Sequence, residues 1–403
     1  MTPLTTRPLT APRVPLAGDA GPGTDSPLLI AAGTVVLPDQ ELSPGWVEVR
    51  DGLIVASGAG EPPRPADVVL PAAVLAPGFV DAHNHGGGGV SFNDSDPAAA
   101  AARIIRTHLG HGTTTMMASL VTAPLAEMER LVRALAELVR AGLLAGIHLE
   151  GPWLSPKHRG AHAEELLRAP DPASIDALLG AGAGAVRMVT IAPELDGGLV
   201  AVARIVEYGA VAAIGHTDAD YELTQAAIAA GATVGTHVFN AMRPLHHREP
   251  GAALALLDDP TVFAELVADG VHLHPAVVRL ITESPARTVF VTDAMAAAGA
   301  EEGDYKLGAL DVRVADGEAR LSDGTIAGSV LTLSGAVRYA VLTAGVPLAM
   351  AIRAASQNPA DLLGLTDRGR ILPGLRADLV LLDPELHVTA TLHEGTWVSR
   401  AVS

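Results

Sequence analysis

The pair His83 and His85, which flanks Asn84 at the end of the apolar run PGFVDA (77–82), is the strongest chemical signal in the sequence. Because side chains on a β-strand alternate between its two faces, both imidazoles are expected to point the same way. Two imidazoles so placed can bind one metal ion. Four glycines, 86–89, follow at once, as where a buried strand opens into a loop. The pair therefore predicts part of a metal site.

Four more candidate ligands end other apolar runs: Glu150, His216, His237 and Asp293. The chain has no cysteine, so a metal must be held by His, Asp and Glu. Taken singly, a strand-end Asp is more often a cap and a lone His more often a core residue. Buried charged groups need partners, however, and six such residues converging on one place favour a metal site.

The elements that must position these residues are β-strands alternating with helices between about Pro77 and Asp367. Eight βα units of this length predict an α/β fold, a (β/α)8 TIM-like barrel over residues 77–367. Chemistry in such barrels lies at the C-terminal ends of the strands, where the candidate ligands fall. The predicted strands are 79–85, 113–120, 145–151, 186–194, 210–217, 233–240, 264–270 and 288–295.

Both ends of the chain have a different sequence pattern from the alternating strands and helices of its centre. Residues 28–76 and 368–403 contain short β-type runs with turns, and the dipeptide Asp51-Gly52 is typical of a hairpin. We expect the two segments to form one small β-sandwich domain, split in sequence. Residues 1–27 are rich in Pro, Thr, Ala and Gly without the apolar segment of a signal peptide, which predicts a disordered extension.

The formal net charge of −18 argues against nucleic acid and against anionic membranes as partners. No apolar run is long and continuous enough to span a bilayer, so we expect a cytoplasmic protein. The negative electrostatic field of the whole protein would not attract an anionic substrate. It would require a local cationic pocket.

The motifs PGFVDAHNHGGGG (77–89), HLEGPWLSPKHRGAH (148–162), IGHTDA (214–219), THVFNAMRPLHHREPG (236–251) and VTDAM (291–295) resemble those of the amidohydrolase superfamily. HLEGPW together with NAM…REPG narrows the resemblance to the N-acetylglucosamine-6-phosphate deacetylase family. With VADGVHLHP (267–275), AGSVLTL (327–333) and the segment 357–383, the resemblance spans nearly everything except residues 1–27. It implies a barrel of the metal-dependent hydrolase type.

This resemblance implies hydrolysis of the N-acetyl group of N-acetyl-D-glucosamine 6-phosphate, in amino-sugar catabolism or recycling. Asp293 matches the family's catalytic acid/base, and His162 matches the histidine that donates to the substrate carbonyl. One or two divalent metals are expected, zinc first, with iron, manganese or cobalt as alternatives. The implied metal-binding residues are His83, His85, Glu150, His216, His237 and Asp293.

The resemblance also implies how the phosphorylated amino sugar is bound. The segment Asn240-Ala241 is expected to offer backbone N–H groups to the phosphate, and His162 and His272 to line the substrate region. Arg248 resembles an arginine that reaches the phosphate in a neighbouring subunit. A guanidinium binds phosphate through two parallel hydrogen bonds. The resemblance therefore implies a homodimer with composite sites.

The chain's only two lysines, Lys157 and Lys306, lie off the predicted barrel strands. Many members of the superfamily bridge two metals with a carboxylated lysine on a barrel strand. That arrangement is nearly excluded here, and Glu150 must take the equivalent role. Two alternatives stay open: a related amidohydrolase, such as an N-acyl-amino-acid deacylase or a deaminase, and an inactive barrel with a binding role.

Overall fold

The computed structural model describes residues 27–398. The extension predicted to be disordered, residues 1–27, lies outside the described residues except for Pro27. No helix in the described part of the chain is both long and apolar enough to cross a membrane.

The strands, in chain order, are β1 (Leu28–Val36), β2 (Glu41–Leu42), β3 (Gly45–Arg50), β4 (Leu53–Ala59), β5 (Val68–Pro77), β6 (Phe79–Asp81), β7 (Gly86–Gly87), β8 (Val90–Ser91), β9 (Thr113–Val121), β10 (Gly146–Glu150), β11 (Val186–Ile191), β12 (Val211–Ile214), β13 (Val234–Gly235), β14 (Phe263–Leu266), β15 (Arg287–Phe290), β16 (Gly303–Leu307), β17 (Leu310–Ala315), β18 (Glu318–Arg320), β19 (Leu379–Leu382), β20 (Val388–His393) and β21 (Thr396–Val398).

The helices are α1 (Pro97–Leu109), α2 (Leu125–Arg140), α3 (Pro172–Gly182), α4 (Gly198–Glu207), α5 (Tyr221–Ala229), α6 (Gly251–Leu257), α7 (Pro275–Thr282), α8 (Leu333–Leu342), α9 (Leu348–Ala355) and α10 (Gln357–Leu362). Several start where a side chain accepts from a free N–H of the first turn, as Asp96 does for α1, Asp171 for α3 and Asp220 for α5. Short polar residues therefore end the loops and begin the helices.

Eight parallel strands form the barrel in the order β6-β9-β10-β11-β12-β13-β14-β15, each followed along the chain by a helix. The first and last strands meet at the C-terminal mouth. There the N–H of His85 donates to the carbonyl of Ala294 (2.9 Å) and the N–H of Asp293 donates to that of His83 (2.9 Å). The predicted (β/α)8 barrel is confirmed, and two candidate site segments close its ring.

Strands from both chain ends share one eight-stranded sheet, ordered β21-β20-β19-β5-β1-β3-β4, with β2 paired to β1. Its buried face includes Ile30, Val47, Leu75 and Leu379. Strand β5 runs almost directly into β6, so this sheet is anchored where the barrel begins.

A three-stranded sheet, β16-β17-β18, is inserted between barrel strand β15 and helix α8. The sequence pattern predicted no boundary between this sheet and the eighth βα unit. The inserted sheet has the usual features of a hairpin. Buried and exposed residues alternate along Leu310–Ala315, and the turn Asp316-Gly317 follows. One side of it packs near Val121 and Met295 at the barrel mouth.

Candidate metal centre and substrate cavity

The six predicted ligands come together at the C-terminal mouth of the barrel, and all are buried. Only Glu150 lies on a strand, as the last residue of β10. The prediction that strands extend through the other ligands is wrong: β6 ends before His83, and β12, β13 and β15 end before His216, His237 and Asp293. These last three residues have left-handed backbones, with φ of 48°, 25° and 48°, which no strand accommodates.

The first group of candidate ligands is His83, His85, Glu150 and Asp293. The two imidazole Nε2 atoms lie 3.0 Å apart. Nε2 of His85 is 3.1 Å from Glu150 Oε2 and 3.2 Å from Asp293 Oδ1. Nε2 of His83 is 3.6 Å and 3.5 Å from the same two oxygens. Two nitrogens and two carboxylate oxygens thus face one another.

The second group uses the other oxygen of the same carboxylate. Glu150 Oε1 lies 3.1 Å from His216 Nε2 and 3.0 Å from His237 Nε2, and those two nitrogens are 3.2 Å apart. His162 Nε2 lies 3.5 Å from Glu150 Oε2, so His162 also borders this group. Glu150 therefore stands between two sets of nitrogen donors.

Contacts on the far side of the imidazoles show that this donor set fits a metal. Nδ1 of His83 faces the carboxylate of Glu265 (3.2 Å), Nδ1 of His85 the carbonyl of Ser119 (3.2 Å) and Nδ1 of His216 the carbonyl of His158 (2.9 Å). Each partner is an acceptor, so Nδ1 carries the proton and the Nε2 lone pair points inward. A divalent cation satisfies these converging lone pairs and carboxylates together.

The buried carboxylates are held in their charged form. Burial alone raises the pKa of Glu150, but nearby His83 and three hydrogen-bonding imidazoles outweigh it and hold that pKa well below its usual range. The pKa of Asp293 is likewise lowered, because its histidine neighbours outweigh its burial. Burial lowers the pKa of His216 to about 4, despite its hydrogen bond to Glu150. Burial also lowers the pKa values of His83, His85 and His237, but the carboxylates of Glu150 and Asp293 outweigh it, so these three pKa values are instead raised. Metal binding takes neutral imidazoles and ionised carboxylates, so a metal would compete with protons at these three rings.

A cavity of about 760 Å³ opens onto these groups. His162, Asn240, Ala241 and His272 line it, and His272 Nδ1 lies 2.7 Å from Asp269 Oδ2. The inserted sheet and the segment after it form an apolar wall of Leu307, Leu310, Leu321 and Ile326.

Arg248 is exposed and is not among the described residues that line this cavity. Its Nη1 donates to Nε2 of His247 (2.9 Å). The structure does not bring Arg248 together with the other predicted substrate-binding residues of its own chain. The backbone N–H of Asn240 is also engaged, by the carbonyl of His237 (2.9 Å), which leaves the amide of Ala241 as the candidate donor of that segment.

Several residues that shape the site were missed by the sequence analysis, among them Thr122, Glu265 and Asp218. Thr122 follows β9 at once, so the strand-end rule could have found it. Glu265 interrupts the apolar run of β14, and a buried charge there is a signal of its own. Asp218 has no signal apart from its place two residues after His216.

His148 and the two lysines lie outside both groups of candidate ligands. His148 lies below the site, with Nδ1 3.0 Å from Ser119 Oγ and Nε2 2.8 Å from Thr190 Oγ1, so hydroxyl groups satisfy both ring nitrogens. Lys157 lies in a short 3-10 helix after β10 and pairs with Asp218, while Lys306 lies on β16 of the inserted sheet. Neither lysine is on a barrel strand.

Comparison with known proteins places the chain among deacetylases of phosphorylated amino sugars. The amidohydrolase family model matches residues 74–402. The chain is 36% identical to N-acetylgalactosamine-6-phosphate deacetylase of Escherichia coli O157:H7, over 88% of this chain and 96% of that protein. It is 34% identical to N-acetylglucosamine-6-phosphate deacetylase of Bacillus subtilis (strain 168), over 91% of this chain and 96% of that protein.

A solved structure extends this likeness to the whole architecture. N-acetyl-D-glucosamine-6-phosphate deacetylase of Mycobacterium smegmatis, as an aspartate-to-alanine variant in complex with N-acetyl-D-glucosamine-6-phosphate, is 50% identical and matches with a TM-score of 0.90. The match covers 93% of this chain and 100% of that one.

Proposed function

Because the chain belongs to the amidohydrolase family and, within it, to the N-acetylglucosamine-6-phosphate deacetylases, we propose that it hydrolyses N-acetyl-D-glucosamine 6-phosphate to D-glucosamine 6-phosphate and acetate. The observation that carries the proposal is the convergence of four imidazole Nε2 atoms on the Glu150 carboxylate, each within 3.6 Å of it, beside Asp293 and His162. All of these residues except His83 line one cavity.

We assign Glu150, His216 and His237 to one metal position, and His83 and His85 to a second that shares Glu150 and borders Asp293. Nitrogen and carboxylate donors suit zinc first, with iron, manganese or cobalt as alternatives. A bound metal supplies Lewis acidity, which polarises the acetamide carbonyl and lowers the pKa of water toward ~7.

Asp293 serves as general base and then as general acid. Its lowered pKa keeps it ionised at neutral pH, so it can take a proton from the attacking water. The water oxygen adds to the carbonyl carbon, and collapse of that adduct breaks the C–N bond. Asp293 then returns the proton to the departing nitrogen, which leaves as the amine of the sugar while the acyl part leaves as acetate.

His162 donates to the carbonyl oxygen as negative charge develops on it. Its Nε2 lies in the same cavity as Asp293 and 3.5 Å from Glu150 Oε2. Removing one such donor costs on the order of 10²–10³ in rate in other hydrolases.

The phosphate is recognised by the Ala241 amide and His272 from one subunit and by Arg248 from its partner. We therefore propose a homodimer with composite sites, supported by the exposed position of Arg248 outside its own cavity. Because a phosphorylated sugar is retained within cells, we also propose a cytoplasmic enzyme.

Substrate choice tests the assignment directly. We expect turnover of N-acetylglucosamine 6-phosphate to exceed that of unphosphorylated N-acetylglucosamine and of N-acyl amino acids by at least ~100-fold in kcat/KM, since two or more charged contacts are lost without the phosphate. N-acetylgalactosamine 6-phosphate belongs in the same assay, because one of the similar proteins bears that name. Equal rates with and without phosphate would refute the proposal.

A further inference from the structure

We infer that the hydroxyl of Thr122 fixes the tautomer of His162, so that Nε2 carries the proton that His162 offers to the substrate. The inference rests on the proposed function, because it explains how His162 is kept a donor. The same imidazole borders the group formed with Glu150 and His216, where an unprotonated Nε2 would be a metal ligand instead. Which nitrogen bears the proton therefore decides what His162 does.

Two distances from the Thr122 hydroxyl support this assignment. Thr122 Oγ1 lies 2.9 Å from His162 Nδ1 and 3.4 Å from the carbonyl oxygen of Glu150. A hydroxyl has a single proton to donate, and the shorter distance is the one at which it bonds well. If Thr122 donates to Nδ1, the proton of the neutral ring lies on Nε2.

The other side of the ring favours the same tautomer. His162 Nε2 is 3.5 Å from Glu150 Oε2, a carboxylate oxygen that can only accept. A protonated Nε2 is attracted to that negative charge.

The surroundings of Thr122 hold its hydroxyl in place. The residue is buried, with 3% of its surface exposed. A Cβ at Gly151 would lie 2.2 Å from Thr122 Oγ1, so the hydroxyl occupies space that only glycine leaves open. The side chain of Asn93 pairs with both backbone groups of Val121, through Oδ1 (3.2 Å) and Nδ2 (3.4 Å). Thr122 is therefore a positioning residue that acts through His162.

The test compares Thr122→Val and Thr122→Ser in the metal-loaded enzyme with N-acetylglucosamine 6-phosphate as substrate. Thr122→Val keeps the shape and removes the hydroxyl, and we expect kcat to fall at least ~10-fold, part of the 10²–10³ that losing such a donor costs, with KM and metal content little changed. Thr122→Ser should stay within a few-fold of wild type. Thr391→Val is the matched control, because Thr391 is a buried threonine on β20 of the terminal sheet.

A double variant separates positioning from general damage. In a His162→Ala background, Thr122→Val should lower kcat no further, because effects that act through one group are not additive. An equal further loss there, or wild-type kcat in the single Thr122→Val variant, would overturn the inference. If the wild-type protein itself fails to hydrolyse the substrate, the proposed function falls and this inference falls with it.

Nitrogen-15 NMR of labelled histidine in the zinc-loaded wild-type protein provides a measurement that needs no variant to fold. We expect Nε2 of the His162 ring to be protonated and Nδ1 to be unprotonated. A ring protonated on Nδ1 would overturn the inference, whatever the kinetics of the variants.

Discussion

Glu265 shows how one residue outside the cavity can control the metal centre. Its side chain is fully buried on β14, and Oε2 lies 3.2 Å from His83 Nδ1. Its other oxygen, Oε1, has no hydrogen-bond partner among the described residues. Burying a carboxylate that has a single partner costs free energy. The contact with His83 explains why a glutamate is buried at position 265. Such a contact orients a metal-binding imidazole and raises its basicity.

Replacing this carboxylate should weaken one metal position and spare the other. We expect Glu265→Gln to lower affinity for the second metal by about 10–100-fold, while the position formed by Glu150, His216 and His237 stays filled. Metal content measured by mass spectrometry after dialysis, with calorimetric titration, reads this out without any activity assay. Asp378→Asn, which alters a buried carboxylate just before strand β19, is the control. Unchanged stoichiometry in Glu265→Gln would contradict this role.

At the scale of elements, Asp218 ties together loops that carry site residues. Its carboxylate accepts from Lys157 (2.8 Å) and lies 2.9 Å from His158 Nε2, both in the loop after β10 that leads to His162. It also accepts from Arg243 Nη2 (3.2 Å), just beyond Ala241. These cations hold the pKa of Asp218 well below its usual range, although its partial burial opposes this.

We expect Asp218→Asn to loosen this junction without unfolding the barrel. The charged contacts weaken, so the loop over residues 151–163 should exchange amide hydrogens faster. Misplacement of reacting groups by about 1 Å can cost 10²-fold, so we predict a loss of about 10-fold in kcat/KM. Hydrogen exchange by mass spectrometry and steady-state kinetics check both parts. Wild-type exchange in this loop together with wild-type kcat/KM would show that Asp218 positions nothing.

The sequence predicts which strands and helices form better than it predicts where they end. Eight apolar runs separated by helical stretches indicated the barrel. The candidate ligands at the ends of those runs indicated that the site lies at its C-terminal mouth. The predicted strands extend too far along the chain, because hydrophobic patterning does not reveal the left-handed backbones of His216, His237 and Asp293. Such conformations cost on the order of 1–3 kcal/mol each and persist where the surroundings enforce them. Contacts such as Thr122 with His162 depend on tertiary proximity, which spacing along the chain cannot reveal.

At the scale of the whole molecule, the charge distribution supports the proposed homodimer. The chain carries a formal net charge of −18, so its overall field repels a sugar phosphate. Arg248 could supply a focused positive charge, yet it lies exposed and away from the cavity of its own chain. A partner subunit that presents Arg248 reconciles these two facts.

Mixing two impaired variants tests whether Arg248 acts in the partner's site. In the proposed mechanism, Asp293→Asn removes the acid/base and Arg248→Ala removes the phosphate contact. In a mixed dimer, the site with an intact Asp293 receives an intact Arg248 from the other subunit. Random reassociation of a symmetric dimer should therefore restore roughly a quarter of the sites. Activity of the mixture no higher than the sum of the separate variants would contradict a composite site.

The most direct test of the central claim is a metal titration of chelator-stripped protein, with deacetylation of N-acetylglucosamine 6-phosphate followed at each step. We predict negligible turnover without metal and a rise in turnover that tracks bound zinc, to no more than two ions per chain, because Glu150 separates two sets of donors. Glu150→Gln should abolish both binding and turnover. Full turnover by metal-free protein, or none by protein that has bound its metal, would contradict the claim that this buried cluster is the centre of a deacetylase.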